Sequence, residues 1–306
     1  MTLAQSIGGP SLGGTTSPQP GILTPALPLG RSITFHLQEG GDVASALGRL
    51  RAAFAVDDGI VGLGTPAVAA LGKELPGLRP FPPLMGPLVE GRAAAAPSTQ
   101  QALWVFLRGL ERGAIFDAGE RLRDLLREAF VLDDGVDTFI YRGGRDLTGF
   151  EDGTENPHGE VARAAALIGD QPALGGSSFV AVQRWIHNLD KFRSFPLARR
   201  QDIVGRELES NEEIEAAPES AHVKRTAQES FEPEAFMVRR SMPFATAAGS
   251  GLEFIAFVES LDRFERMMLR MVGSEDGIVD GLFAFSRPVT GGYYWCPPVD
   301  GARLAF

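Results

Sequence analysis

Apolar and polar residues alternate over Ile33–Leu37, with Ile33, Phe35 and Leu37 set against Thr34 and His36, and this spacing predicts a short strand. Residues 42–54 follow a longer period. Val43, Leu47, Leu50 and Phe54 recur at intervals of four, three and four, so they share one face of a helix that Asp42 is placed to cap. Ile60–Leu63 is a second short apolar run, and a connection rich in Pro and Gly follows from Pro76 to Pro97. A strand at Ala102–Leu107, a helix over about 116–129 and a strand at Thr138–Tyr141 complete the first set. The order is β-α-β-β-α-β, the ferredoxin-like arrangement.

The same order can be read again further along. Phe179–Ile186 reads as a strand, and a helix over 189–208 is interrupted at Pro196. Strands follow at Ala235–Ser241 and Leu252–Glu259, then an amphipathic helix at Leu261–Val272 and a closing strand at Gly292–Cys296. An acidic stretch, Glu207–Glu219, is inserted ahead of His222 and makes this copy less regular. The predicted fold class is α+β: duplicated ferredoxin-like units with antiparallel sheets, each burying one face.

Composition narrows the classes of function. The chain has 306 residues, 44% of them hydrophobic and 22% charged, as in a soluble globular protein. A net charge of −10 argues against general binding to nucleic acid or to anionic membranes. Cys296 is the single cysteine, which excludes an intrachain disulfide and a thiolate metal cluster and fits a cytoplasmic location. No segment approaches the ~20 apolar residues that would cross a bilayer. Residues 1–30 carry no charged side chain and are broken by Gly8, Gly9, Pro10, Gly13 and Gly14, so they lack the form of a secretory signal. They are expected to form a flexible N-terminal arm, either lying over a neighbouring subunit or disordered. Residues 31–145 and 146–306 are then the two folded units.

One run carries more information than any other: Gly149-Phe150-Glu151-Asp152-Gly153-Thr154-Glu155-Asn156-Pro157. Two glycines able to take positive φ flank a lone acid, and Pro157 stops regular structure from running through. By itself an Asp-Gly pair is most often a solvated surface turn. The whole run resembles, without a gap, the GxxDGT signature of the dye-decolourising peroxidases, haem enzymes that use hydrogen peroxide. The resemblance extends over roughly residues 30–300. It includes Ser220-Ala221-His222, Arg239 and Phe285-Ser286-Arg287-Pro288-Val289-Thr290-Gly291-Gly292, and it is nearest to the compact bacterial class (B/P type). That family has a duplicated ferredoxin-like fold, in agreement with the pattern.

The resemblance implies roles for individual residues. Of the four histidines, His36 reads as a partly exposed strand residue, His158 as exposed and His187 as structural. His222, which in so polar a loop would ordinarily be solvated, matches the axial ligand of the iron. Asp280 is the implied acceptor for its second ring nitrogen, with Asp276 as the alternative. Arg239 matches the arginine that stabilises negative charge on peroxide, with Ser241 on its strand face. Arg240 reads as a solvated edge. Asp152 matches the group that carries a proton from one peroxide oxygen to the other. Glu151, Gly153 and Thr154 are expected along the haem through backbone contacts, and Arg206 at a propionate or in a surface salt bridge. Tyr293, Tyr294, Trp295 and Trp185 are core residues or carriers of electrons.

The function so implied is that of a cytoplasmic, homo-oligomeric haem b peroxidase with one haem per subunit. It would reduce hydrogen peroxide through a ferryl intermediate and oxidise dyes, phenolics or other small-molecule electron donors. Two alternatives stand beside it: a haem- or porphyrin-handling protein, and a non-haem interaction module on the same fold. Carriage in a protein nanocompartment is not expected, because the sequence stops at Arg303-Leu304-Ala305-Phe306 without a long tail.

Overall fold

Strands of period two that bury both faces read as nearly continuous apolar runs, and Leu103–Gly109 is such a strand: its first five residues are all buried. Trp104 and Phe106 point into one core, while Leu103, Val105 and Leu107 point into another. The computed structural model describes residues 16–89, 92–169, 171 and 174–306. Its first half runs through α1 (Pro20–Leu23), β1 (Leu29–Leu37), α2 (Val43–Ala53), β2 (Gly59–Leu63), α3 (Thr65–Ala70) and a hairpin of β3 (Leu84–Val89) and β4 (Arg92–Ala96). Then come β5 (Leu103–Gly109), α4 (Arg112–Leu126) and β6 (Phe130–Phe139). The second half contains α5 (Gly159–Ala166), β7 (Ser178–His187), α6 (Leu189–Ser194), α7 (Leu197–Val204) and α8 (His222–Arg225). It continues with β8 (Val238–Arg239), β9 (Met242–Thr246), β10 (Gly249–Val258), α9 (Leu261–Met271), β11 (Ser286–Pro288) and β12 (Gly292–Cys296).

The main sheet is antiparallel and closes on itself. Its order is β7-β12-β2-β5-β1-β6-β9-β10, and β10 pairs back to β7 to complete a ring of eight strands. Within the first half the neighbours run β2-β5-β1-β6; within the second they run β12-β7-β10-β9. The halves meet at two seams, where Trp295 pairs with Leu63 and Thr138 with Phe244. Trp104, Phe106, Val180, Ile255, Phe257 and Tyr294 fill the inside of the ring. Helices α2, α4 and α9 cover the outer face through Leu47, Leu50, Leu122, Phe264 and Met268. Each such large apolar side chain contributes about 1.5–3 kcal/mol on burial. No helix among the described residues is long and apolar enough to cross a membrane.

Several expected elements lie elsewhere, each for a local reason. α4 begins at Arg112 rather than near 116, because the Glu111 carboxylate accepts from the Gly113 and Ala114 amides and caps the helix there. β6 begins at Phe130 rather than Thr138; its acids hid it, yet Asp137 pairs with Arg31 and Asp134 with Arg184. The connection rich in Pro and Gly contains α3 and the β3–β4 hairpin. The strand expected at Ala235–Ser241 shrinks to Val238–Arg239, since Asn156 takes both backbone groups of Arg239. Arg240 is no solvated edge: its guanidinium donates to the Leu23 and Thr24 carbonyls.

Of the expected flexible arm, residues 1–15 lie outside the described residues. The remainder is bound to the body. Ser17 bridges to Val299, and Gln19 is fully buried. The Gln19 side chain accepts from the Val61 amide and donates to the Val61 and Pro297 carbonyls.

Candidate active site

The run 149–157 forms a loop whose shape depends on its glycines: Gly149 has φ +95° and Gly153 φ +76°, values that L side chains rarely adopt. The Asp152 amide donates to the Gly144 carbonyl at 3.1 Å, which turns the carboxyl toward a cavity of about 270 Å³. At the back of the loop Asn156 accepts from the Arg239 amide at 2.7 Å and donates to the Arg239 carbonyl at 3.0 Å. That double bond to β8 brings the arginine into the same cavity. Gln228 adds a second staple, donating to the Glu155 carbonyl and accepting from the Met237 amide.

His222 enters the cavity from α8. Gly205 ends α7 in the left-handed conformation, φ +90°, and lies against Val223 and Ala221, so the turn before the histidine is packed tightly. The His222 Nδ1 is 2.8 Å from Asp280 Oδ2, and the side chain of Asp280 is completely buried. Asp280 Oδ1 accepts from the Leu282 amide, which fixes the carboxylate from both ends. Asp276, the alternative acid, is engaged by both terminal nitrogens of Arg225. Among the described residues His222 Nε2 has no hydrogen-bond partner, which leaves it available to the cavity.

The electrostatics favour a polar ligand above an apolar floor. Asp152 keeps surface exposed to the open cavity, yet the protein crowding its carboxyl pushes its pKa above the usual carboxylate range, Arg239 pulls it back, Asp146 adds to the rise and His222 opposes it. Arg239 Nε is buried without a partner among the described residues. Such a donor costs about 1–3 kcal/mol unless something accepts from it. Trp185, Leu252, Phe254, Phe264, Met268 and Leu282 supply the apolar wall. A flat macrocycle with an iron needs an unpaired imidazole nitrogen, an apolar slot and a polar pair beside it, and the residues present fit that group.

The family model for Dyp-type peroxidase, C-terminal, matches residues 143–301. A dye-decolorizing peroxidase of Rhodococcus erythropolis is 32% identical over 303 residues, covering 92% of this chain and 87% of that protein. The chain belongs to the Dyp-type peroxidase family. Among solved structures, a DypB variant from Rhodococcus jostii RHA1 in complex with heme aligns with TM-score 0.82 at 26% identity, over 92% of this chain and 96% of that one. The encapsulated DyP-type peroxidase from Mycobacterium smegmatis aligns with TM-score 0.82 at 27% identity, over 94% and 97%. That neighbour removes support from the expectation against a nanocompartment, which rested only on where the sequence stops.

Within this Dyp-type peroxidase the cavity gathers Glu151, Asp152, Gly153, Thr154, Arg206, His222 and Arg239. Arg206 donates to Glu155, Glu213 and the Asn211 carbonyl, so it ties the acidic insertion to the motif loop. Ser241 does not line the cavity; its hydroxyl accepts from the Ile255 amide instead. The alternation expected to align it with Arg239 needs a longer strand than β8 provides. Tyr293 packs in an outer aromatic cluster with Phe81 and Phe264, Tyr294 lies inside the ring, and Trp185 alone of the four aromatics lines the cavity. Sequence reasoning missed Asn156 and Gln228. Asn156 stood in the quoted motif, whereas Gln228 carried no local signal.

Proposed function

We propose that this chain is a haem b peroxidase, one haem per subunit, that reduces hydrogen peroxide at the expense of a small-molecule electron donor. The observation that carries this reading is one cavity holding a histidine backed by a buried carboxylate together with an acid–arginine pair. His222 would bind the iron through Nε2. Asp280, accepting from Nδ1–H, would keep the imidazole oriented and electron-rich. When bound, the haem would supply the redox chemistry, providing the two electrons that reduce peroxide, which the donor would replace one at a time. Asp152 takes the proton from one peroxide oxygen and delivers it to the other, which leaves as water. Arg239 holds the peroxide and meets the negative charge that develops on it. The apolar wall would keep bulk water from the reacting atoms, and Glu151, Gly153 and Thr154, which line the same cavity, would lie along the haem. Arg206, already committed to two carboxylates, acts on a propionate only as part of that network.

Identical strand order in the two halves supports two ferredoxin-like units, at 31–145 and 146–306, with the haem site in the second. A cytoplasmic location is supported by the single buried thiol, Cys296. Association into a homo-oligomer is supported by the exposed Met85 and Leu88 on the β3–β4 hairpin.

The test is one equivalent of hydrogen peroxide added to the ferric haem-loaded protein, followed by stopped-flow absorption. A fast spectral change that an electron donor reverses is the expected result. A spectrum that persists, or only bleaches, would favour porphyrin handling, and failure to bind haem would favour an interaction module.

A further inference from the structure

His187 is absorbed by none of these roles, yet it joins the sheet to the motif loop. It is the last residue of β7, pairs in register with Ser286 of β11, and its side chain is 7% exposed. Nδ1 is 2.7 Å from the Ser286 hydroxyl and Nε2 is 3.1 Å from Asp146 Oδ2. With the Ser286 hydroxyl donating to Nδ1, Nε2–H donates to the carboxylate. The other oxygen of Asp146 accepts from the Thr148 amide at 2.7 Å and the Thr148 hydroxyl at 2.6 Å. The Asp146 backbone then closes the turn, its amide donating to the Phe150 carbonyl and its carbonyl accepting from the Gly149 amide. Asp152 therefore sits between two ties to the sheet: Asp146–His187 in front and Asn156–Arg239 behind.

Resting on the peroxidase reading above, we propose that His187 is a positioning residue for the peroxide reaction, fixing the Asp152 loop to the sheet through Asp146. Glycines at 149 and 153 give the loop its shape but no rigidity, so rigidity must come from side chains. A proton carrier displaced by even ~1 Å loses rate steeply. The charges agree with the geometry. Burial would push the Asp146 pKa up, but bonds from His187 and Thr148 outweigh it and keep the carboxyl ionised. Its charge then acts on Asp152. The groups around the imidazole are Asp146, Ser286 and the Phe285 ring, and it shares the cavity with Asp152, Arg239 and His222.

The experiment compares His187→Leu, His187→Gln, Asp146→Asn, the Leu/Asn double variant and Asp152→Ala as haem-loaded proteins. His187→Leu is expected to slow the peroxide reaction about tenfold at unchanged haem occupancy, and glutamine, which can still donate to Asp146, to recover most of it. The leucine effect should shrink in the Asp146→Asn background, where one amide oxygen stands in for the two that serve His187 and Thr148. In Asp146→Asn the acid limb of the rate profile should move to lower pH. In the haem-free protein, hydrogen exchange at the Gly149 and Asp152 amides should quicken while β7 stays protected. A wild-type rate in His187→Leu, additive effects, or exchange rising equally through β7 overturns the proposal. If the leucine variant fails to hold haem, Ser286→Ala decides: a wild-type rate and unchanged exchange there overturn it as well. An unimpaired Asp152→Ala would instead sink the peroxidase mechanism itself.

Discussion

Replacing Asp280 by asparagine is expected to raise the reduction potential of the bound haem iron. The substitution keeps the shape but removes the charge, and it leaves one oxygen where two accept: Oδ2 from His222 Nδ1 and Oδ1 from the Leu282 amide, both at 2.8 Å. Because the Asp280 side chain is fully buried, water does not screen the loss. A hydrogen bond to a charged group contributes about 1.5–3 kcal/mol and a neutral one about 0.5–1.5, so the difference is about 1–1.5 kcal/mol. A negative partner favours the more positive, oxidised iron, and its loss makes reduction easier. At 59 mV per tenfold for one electron, the shift is roughly +40 to +65 mV. A spectroelectrochemical titration at constant pH measures it, with Asp276→Asn as the control, because Asp276 serves Arg225 instead. A shift under ~10 mV, or an equal one in the control, would refute the assignment of Asp280 as the imidazole's partner.

Four further outcomes are expected. The peroxide rate should fall about tenfold per pH unit on the acid side, with a midpoint above the ordinary carboxylate value of ~3.9, because burial raises the Asp152 pKa and only its ionised form accepts a proton. By linkage the folded state then holds that proton to higher pH than the unfolded chain. Ionising Asp152 therefore costs stability above its folded pKa, so Asp152→Asn should melt higher than wild type at neutral pH, and a lower melting point would contradict this. Arg239→Leu should slow the peroxide reaction by tenfold or more in stopped flow, since removing a charge-stabilising donor typically costs about 100- to 1000-fold; an unchanged rate would exclude it from the mechanism. Gly205→Ala would place a Cβ 2.3 Å from Val223 Cγ2 at φ +90°, so it should cost about 1–3 kcal/mol in urea unfolding and reduce haem occupancy at the neighbouring His222.

Much of this was legible because local chemistry and tertiary structure agreed. The closing strand Gly292–Cys296 was read with its observed ends, and Pro196 does separate α6 from α7. Asp152, His222 and Arg239, far apart in sequence, do share one cavity. What escaped reading depended on distant partners. Alternation misplaced Ser241 because Asn156, from another loop, takes the backbone groups that would have extended β8. The acids of β6 resembled a loop because their neutralising arginines come from β1 and β7. Closure of the ring has no local signal, since it rests on single residue pairs between the halves.

Gln19 has a consequence for how the chain is made. β2 reads Gly59-Ile60-Val61-Gly62-Leu63, an uncharged edge without a gatekeeping residue, and such an edge invites pairing with other chains. Its neighbour in the ring, β12, leaves the ribosome roughly 160 residues after the first half is complete, which at ~5–20 residues per second is roughly 8–30 s. Gln19 is synthesised before either strand, and its side-chain amide occupies both backbone groups of Val61, the middle residue of that edge. The segment that precedes the fold thus caps the middle of that edge, and in the finished ring it stays there, its amide also donating to the Pro297 carbonyl just past β12, so β12 adds only the Trp295–Leu63 pair.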